Sequence, residues 1–134
     1  MNRTDGRALA KATLESLTIF ETVESFEPEV FEGSRLAIIH SKGLGYVEDA
    51  RDSFTSPAEI WVTIYVRRAA GMGAIVEDLL DDLVRRSVRA LADAFSPFTE
   101  QVQISAVSGV PTGQIKGKDY RMERFAVRFN DDGE

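Results

Sequence analysis

Between Glu59 and Arg67 the chain alternates so that Ile60, Val62, Ile64 and Val66 fall on one side of a pleated strand, with Trp61, Thr63, Tyr65 and Arg67 on the other. Both sides are partly apolar, so both call for cover. After Gly71-Met72-Gly73 the spacing changes to that of a helix, which begins near Ala74 and is stopped by Pro97. Its apolar residues Val76, Leu79, Leu80, Leu83, Val84, Val88, Leu91 and Phe95 spread over nearly half the circumference, beyond the roughly 100° that one sheet contact needs. The surplus predicts that part of this arc meets a neighbour. Glu77, Asp78, Asp81 and Asp82 lie in the first half and Arg85, Arg86 and Arg89 in the second, an order that suits the helix macrodipole. Asp81 with Arg85 and Asp82 with Arg86 are predicted to pair along the helix.

The remaining elements follow from the same patterns. Thr4 or Asp5 can cap a first helix running to Leu17, with Ala10, Leu14 and Leu17 on one stripe. Ile19, Phe20, Val23 and Phe26 predict a strand over Thr18–Phe26, ended by Pro28. Gly33 and Ser34 mark a turn before a short strand, Leu36–Ser41, in which Leu36, Ile38 and His40 share a face. A polar excursion from Lys42 to Pro57 separates it from the Glu59–Arg67 strand, and long loops of this kind are more often functional than structural. Val102, Ile104 and Ala106 alternate with Gln101, Gln103 and Ser105 as a half-buried strand does. Gly109–Lys118 is predicted to be a flexible loop. Tyr120–Phe129 is the last strand, with Phe125, Val127 and Phe129 on one face and Arg124, Ala126 and Arg128 on the other. This order predicts an α+β fold, a mixed or mainly antiparallel sheet of about five strands with two helices packed mainly on one face.

Length and composition narrow the picture. A chain of 134 residues, 43% apolar and 28% charged, fits a single domain over 1–134, with a core from about 5 to 130 and a short acidic C-terminal tail of Asp131, Asp132 and Glu134. The absence of cysteine removes disulfides, thiolate catalysis and cysteine-ligated metals; the single histidine removes a two-histidine site within one chain. A net charge of −6 disfavours sequence-independent binding to nucleic acid, which needs clustered Lys and Arg. No apolar run approaches the roughly 20 residues of a membrane span, and Met1–Lys11 lacks a signal-peptide core. The expectation is a chain made in the cytoplasm, with no membrane or nucleic-acid partner.

Candidate chemistry is sparse. His40 has a reference pKa near neutrality, but no serine stands in a nucleophile-elbow pattern, and Ser41 falls on the opposite strand face. Gly43-Leu44-Gly45 lacks the third glycine of a dinucleotide fingerprint, and Gly113–Lys118 is not a phosphate-binding loop, since no Ser or Thr follows its lysine. The helix carboxylates Glu77, Asp78, Asp81 and Asp82 spread over more than one side, and Glu48, Asp49 and Asp52 lack the EF-hand order. No catalytic, cofactor or metal site is expected. If the strands carrying them pair, Trp61, Tyr65 and Arg67 would stand beside Arg124 and Arg128 as an aromatic and arginine-rich patch of the kind enriched at protein interfaces. The alternative is that the same chain covers that patch.

With the polar excursion before IWVTIYVRR, the amphipathic helix and the closing YRMERFAVRF strand, the chain from Asp5 to Asn130 resembles the tail terminator proteins of long-tailed phages. Related small tail-completion and head–tail joining proteins share this texture. The resemblance implies a structural subunit, not an enzyme, that forms a hexameric ring on the last tier of the tail tube and ends its polymerisation. It implies the major tail tube protein and the head–tail connector as partners, and the virion tail as location. On chemistry, Trp61, Tyr65, Arg67, Arg124 and Arg128, with part of the long helix, are the candidate subunit interface. Lys42, Tyr46, Asp49, Arg51, Phe54, Gln114, Lys116 and Lys118 are the candidate docking-loop residues for tube or connector. The rival expectation is a small ferredoxin-like ligand-binding domain or enzyme with a pocket between sheet and helix.

Overall fold

The computed structural model of the chain describes residues 1–25, 33–41, 56–68, 71–98, 102–107, 112–115 and 117–131. Helix α1 spans Arg3–Ser16 and is followed by strands β1 (Thr22–Glu24), β2 (Arg35–Ser41) and β3 (Ser56–Arg67). Helix α2 spans Gly73–Phe95, and β4 (Gln103–Val107), β5 (Thr112–Ile115) and β6 (Lys118–Asp131) complete the chain. The strands form one sheet in the order β1-β2-β3-β6-β4, with β5 also paired to β6. Only β1 with β2 is parallel; all other pairings are antiparallel. This is the α+β fold read from the pattern, with six strands where about five were expected.

Both helices pack on one face of the sheet. Ala58, Ile60, Val62, Ile64 and Val66 of β3, Phe125, Val127 and Phe129 of β6, and Ala37 and Ile39 of β2 meet Val76, Leu80, Leu83, Leu91 and Phe95 of α2 and Ala10 and Leu14 of α1. Each large aliphatic or aromatic chain buried in this way contributes roughly 1.5–3 kcal/mol. The α2 arc that seemed too broad for one sheet contact is accounted for within the chain. Leu79, Val84 and Val88 are half-buried and pack against the same core, and α1 lies beside α2. Ser87 sits in the middle of the buried stripe, with its hydroxyl buried and unpartnered among the described residues.

The helix ends differ from the reading of the sequence. Asn2, rather than Thr4 or Asp5, caps α1, accepting from the Asp5 amide at 2.8 Å, so that Asp5 becomes an acidic residue of the first turn. The buried stripe of α1 is Gly6, Ala10 and Leu14, a spacing of four that begins at a residue with no side chain to signal it. At its other end Thr18 adopts φ 56°, a left-handed conformation that turns the chain out of the helix. Among the described residues the predicted strand Thr18–Phe26 is accordingly reduced to Thr22–Glu24, because Ile19 and Phe20 serve the core without entering the ladder and pairing begins only at Thr22; Phe26 lies outside the described residues.

The predicted loop Gly109–Lys118 is corrected over Thr112–Ile115, residues 109–111 and 116 lying outside the described residues. Thr112–Ile115 is a strand, folded back on β6 through Gly117 at φ 78°. β4 and β5 lie along the same edge of β6, Val107 opposite Arg124 and Thr112 opposite Arg121. β6 is long enough to offer both a partner, and glycine-broken alternation conceals a strand that exists only because that edge is there. On α2, Arg85 and Arg86 both pair with Asp82, at 2.9 and 3.7 Å, whereas Asp81 was the expected partner of Arg85. The macrodipole does not account for the charge order, since no acid lies in the first turn of α2 and no base in its last.

Candidate functional site

The side of the sheet away from the helices carries the residues with most chemistry. Register places them. In the β2–β3 pairing His40 lies opposite Trp61, Ile38 opposite Thr63 and Leu36 opposite Tyr65. In the β3–β6 pairing Glu59 lies opposite Arg128, Trp61 opposite Ala126, Thr63 opposite Arg124 and Tyr65 opposite Met122. Residues directly opposite share a face, so the aromatic row of β3 and the arginine row of β6 become neighbours.

Two groups form on this face. In the first, the Arg124 guanidinium stands 5.0 Å from the centre of the Trp61 ring while its Nε donates to Thr63 Oγ1 at 2.8 Å. Trp61 Nε1 donates to Glu59 Oε2 at 2.8 Å, and Arg128 donates to the other carboxylate oxygen at 3.0 Å. The His40 ring meets Trp61 edge-on with centroids 5.8 Å apart. Glu59 and Thr63 are buried; Trp61, Arg124 and His40 are half-buried, and the Arg128 side chain is 55% exposed. A cation over an aromatic face contributes about 0.5–2 kcal/mol depending on desolvation. Stacking and hydrogen bonding fix these side-chain rotamers within the chain itself.

The second group is a small core of its own. Leu36, Ile38 and Tyr120 are buried with Tyr65 packed against them; Tyr120 and Tyr65 meet edge-to-face at 6.0 Å, and the Tyr120 hydroxyl donates to the Gly33 carbonyl at 3.0 Å. Tyr65 therefore belongs mainly to this cluster. Arg67 is exposed at the end of β3, six positions and about 20 Å along the strand from Trp61.

Of the residues read from the sequence as an interface, the structure brings Trp61, Arg124 and Arg128 into one network. It assigns Tyr65 to the adjoining cluster and leaves Arg67 apart. Glu59 was missed, although a carboxylate two places before a tryptophan on the same strand face was a usable signal. Lys42, Tyr46, Asp49, Arg51, Phe54 and Lys116 lie outside the described residues. Gln114 is paired through its backbone with Asp119 in the β5–β6 hairpin, and Lys118 is exposed at the start of β6.

A cleft of about 490 Å³ opens where α2 begins, lined by Arg68, Gly71, Gly73, Val76, Glu77, Thr112 and Arg121. It is the pocket between sheet and helix that a ligand-binding domain would need. Within it the Arg121 guanidinium is paired with the Glu77 carboxylate at 2.6 Å, and Arg68, the other guanidinium of the lining, is exposed. Among the described residues no group of three or more His, Asp or Glu side chains is placed to hold a metal ion. Nor is any helix among them long and apolar enough to cross a membrane.

No family model matches this chain, and no curated protein matches it. Among solved structures it is similar to the bacteriophage SPP1 gp17 protein, at 18% sequence identity and a TM-score of 0.43, over 98% of this chain and 96% of that one.

Proposed function

We propose that the chain is a structural assembly subunit that closes a phage tail tube: it forms a hexameric ring on the last tier, ends tube polymerisation and presents a docking surface to the head connector. The reading rests on the resemblance in length and element order: a polar excursion before IWVTIYVRR, an amphipathic helix and a closing YRMERFAVRF strand. The observation that supports it is the Trp61–Arg124–Glu59–Arg128 network on the sheet face away from the helices. Tryptophan and arginine are the residues that most often dominate binding energy at protein contacts. A ring requires one patch to meet a different patch on the next copy. In this scheme the network is one half of that contact, and the β5–β6 hairpin with Lys118 faces tube or connector. No bond is made or broken by the subunit.

The test is assembly of the tube protein in the presence of this chain, read by electron microscopy and by mass measurement in solution. Tubes of limited length capped by a six-fold ring are expected, together with loss of capping in Trp61→Ala/Arg124→Ala while circular dichroism stays that of the wild type. Tubes of uncontrolled length with bare ends would overturn the proposal.

A further inference from the structure

The solvent face of α2 carries a pattern that the reading above does not use. Ile75, Asp78, Asp82, Arg85, Arg89, Ala92 and Ser96 recur at alternating steps of three and four, the 3.5-residue period of a helix–helix seam. At 100° per residue this seam lies on the side opposite the buried stripe of Val76, Leu80, Leu83, Ser87, Leu91 and Phe95. Its members are exposed, apart from half-buried Asp82 and Ala92.

The order of charges along the seam is self-complementary in one orientation. If a second α2 runs antiparallel, with the two-fold axis between Leu83 and Val84, Asp78 of each copy faces Arg89 of the other and Asp82 faces Arg85. At the ends Ile75 faces Ala92. A parallel pairing instead sets acid on acid and base on base, so the charges select the antiparallel one.

Two explanations within the chain fall short. The macrodipole acts over the first and last turns, and α2 has no acid in the first and no base in the last. Pairing along the helix uses Asp82 with Arg85 and Arg86, and leaves Asp78, Asp81 and Arg89 without a charged partner among the described residues. A second, independent feature agrees. The large exposed hydrophobic residues among the described ones are Met72 and Ile75 at the start of α2 and Phe98 just past its end. Of these, Ile75 is a member of the seam, and antiparallel pairing sets it against Ala92 of the last turn of the other helix, an apolar contact at both ends of a charged centre.

We propose that the outer face of α2 is a docking surface for the same face of a second copy of this chain, forming an isologous, antiparallel helix pair. The contact is two-fold and uses the helix layer. It is therefore distinct from the ring contact proposed for the sheet face and does not depend on it. One helix pair of about 32 Å falls short of the roughly 1,200–2,000 Å² of a stable interface, so the dimer is weak and strongly dependent on ionic strength.

Sedimentation velocity of the full chain over a concentration series tests it, in the wild type and in a Trp61→Ala/Arg124→Ala background that removes the sheet-face contact. In both, a species of twice the 14.8 kDa monomer mass is expected at low salt, and its loss at about 1 M salt. Asp78→Arg/Asp82→Arg and Arg85→Asp/Arg89→Asp should each be monomeric alone, yet form a dimer when mixed, because the all-basic seam then faces the all-acidic one. Mixing does not repair a folding defect, so recovery reports the seam itself. A wild-type chain that stays monomeric at low salt would overturn the proposal. So would dimerisation of the separate variants at wild-type strength, or a mixture that stays monomeric.

Discussion

Gly6 is where helix propensity and packing oppose each other most directly. Replacing glycine by alanine in a helix interior is worth about 1 kcal/mol in favour of folding. At Gly6, however, a Cβ would stand 2.5 Å from Cζ of Phe129 and 3.0 Å from its Cε1, inside a comfortable carbon–carbon separation by about 1–1.5 Å and about 0.5–1 Å. The ring has nowhere cheap to go, being 1% exposed and packed against Phe95 with centroids 5.4 Å apart. Overpacking of this kind costs about 1–3 kcal/mol, so Gly6→Ala is expected to lie between neutral and about 2 kcal/mol destabilising. Gly73, the first residue of α2, supplies the control: nothing lies within 4 Å of a Cβ built there, and Gly73→Ala should be neutral or mildly stabilising. Urea unfolding followed by the fluorescence of the single tryptophan, Trp61, measures both. The steric account also requires coupling. In a Phe129→Leu background the smaller side chain leaves room, and Gly6→Ala should recover its propensity gain. Stabilisation by Gly6→Ala equal to that by Gly73→Ala, or a penalty unchanged by Phe129→Leu, would refute the reasoning.

Two further outcomes follow from polar groups in unusual settings. Ser87→Ala removes a buried hydroxyl that has no partner among the described residues and raises helix propensity, so it should stabilise the chain by about 1 kcal/mol, read as a raised urea midpoint with an unchanged slope. The Glu21 carboxylate accepts hydrogen bonds from the Ser34 hydroxyl and amide, which together with the Arg35 charge hold its pKa below the usual carboxylate value. A depressed carboxylate contributes stability that is present above its unfolded-state pKa and lost as pH falls through the folded-state value. Glu21→Gln should therefore lower stability at neutral pH and flatten the acid limb of the pH profile, and an acid limb as steep as that of the wild type would count against the Ser34 contact.

What the chain alone determined was whatever depends on local periodicity. The two-residue alternation of β3 and β6, the helical spacing of α2 and the lack of cysteine settled the α+β class, the helix-facing sides of the long strands and the absence of thiol chemistry, because each is a property of near neighbours in sequence. The tertiary structure decided what depends on which segments meet. Trp61 and Arg124 form a site only because the β3–β6 register sets Thr63 opposite Arg124, and Tyr65 leaves that site because Leu36 and Tyr120 claim it. β5 is a strand because the long edge of β6 receives it, and Gly6 is a core residue because α1 crosses the Phe129 ring with no space for a methyl group. Those facts are set by pairing register and by close approach between distant segments, two quantities that no window of consecutive residues contains.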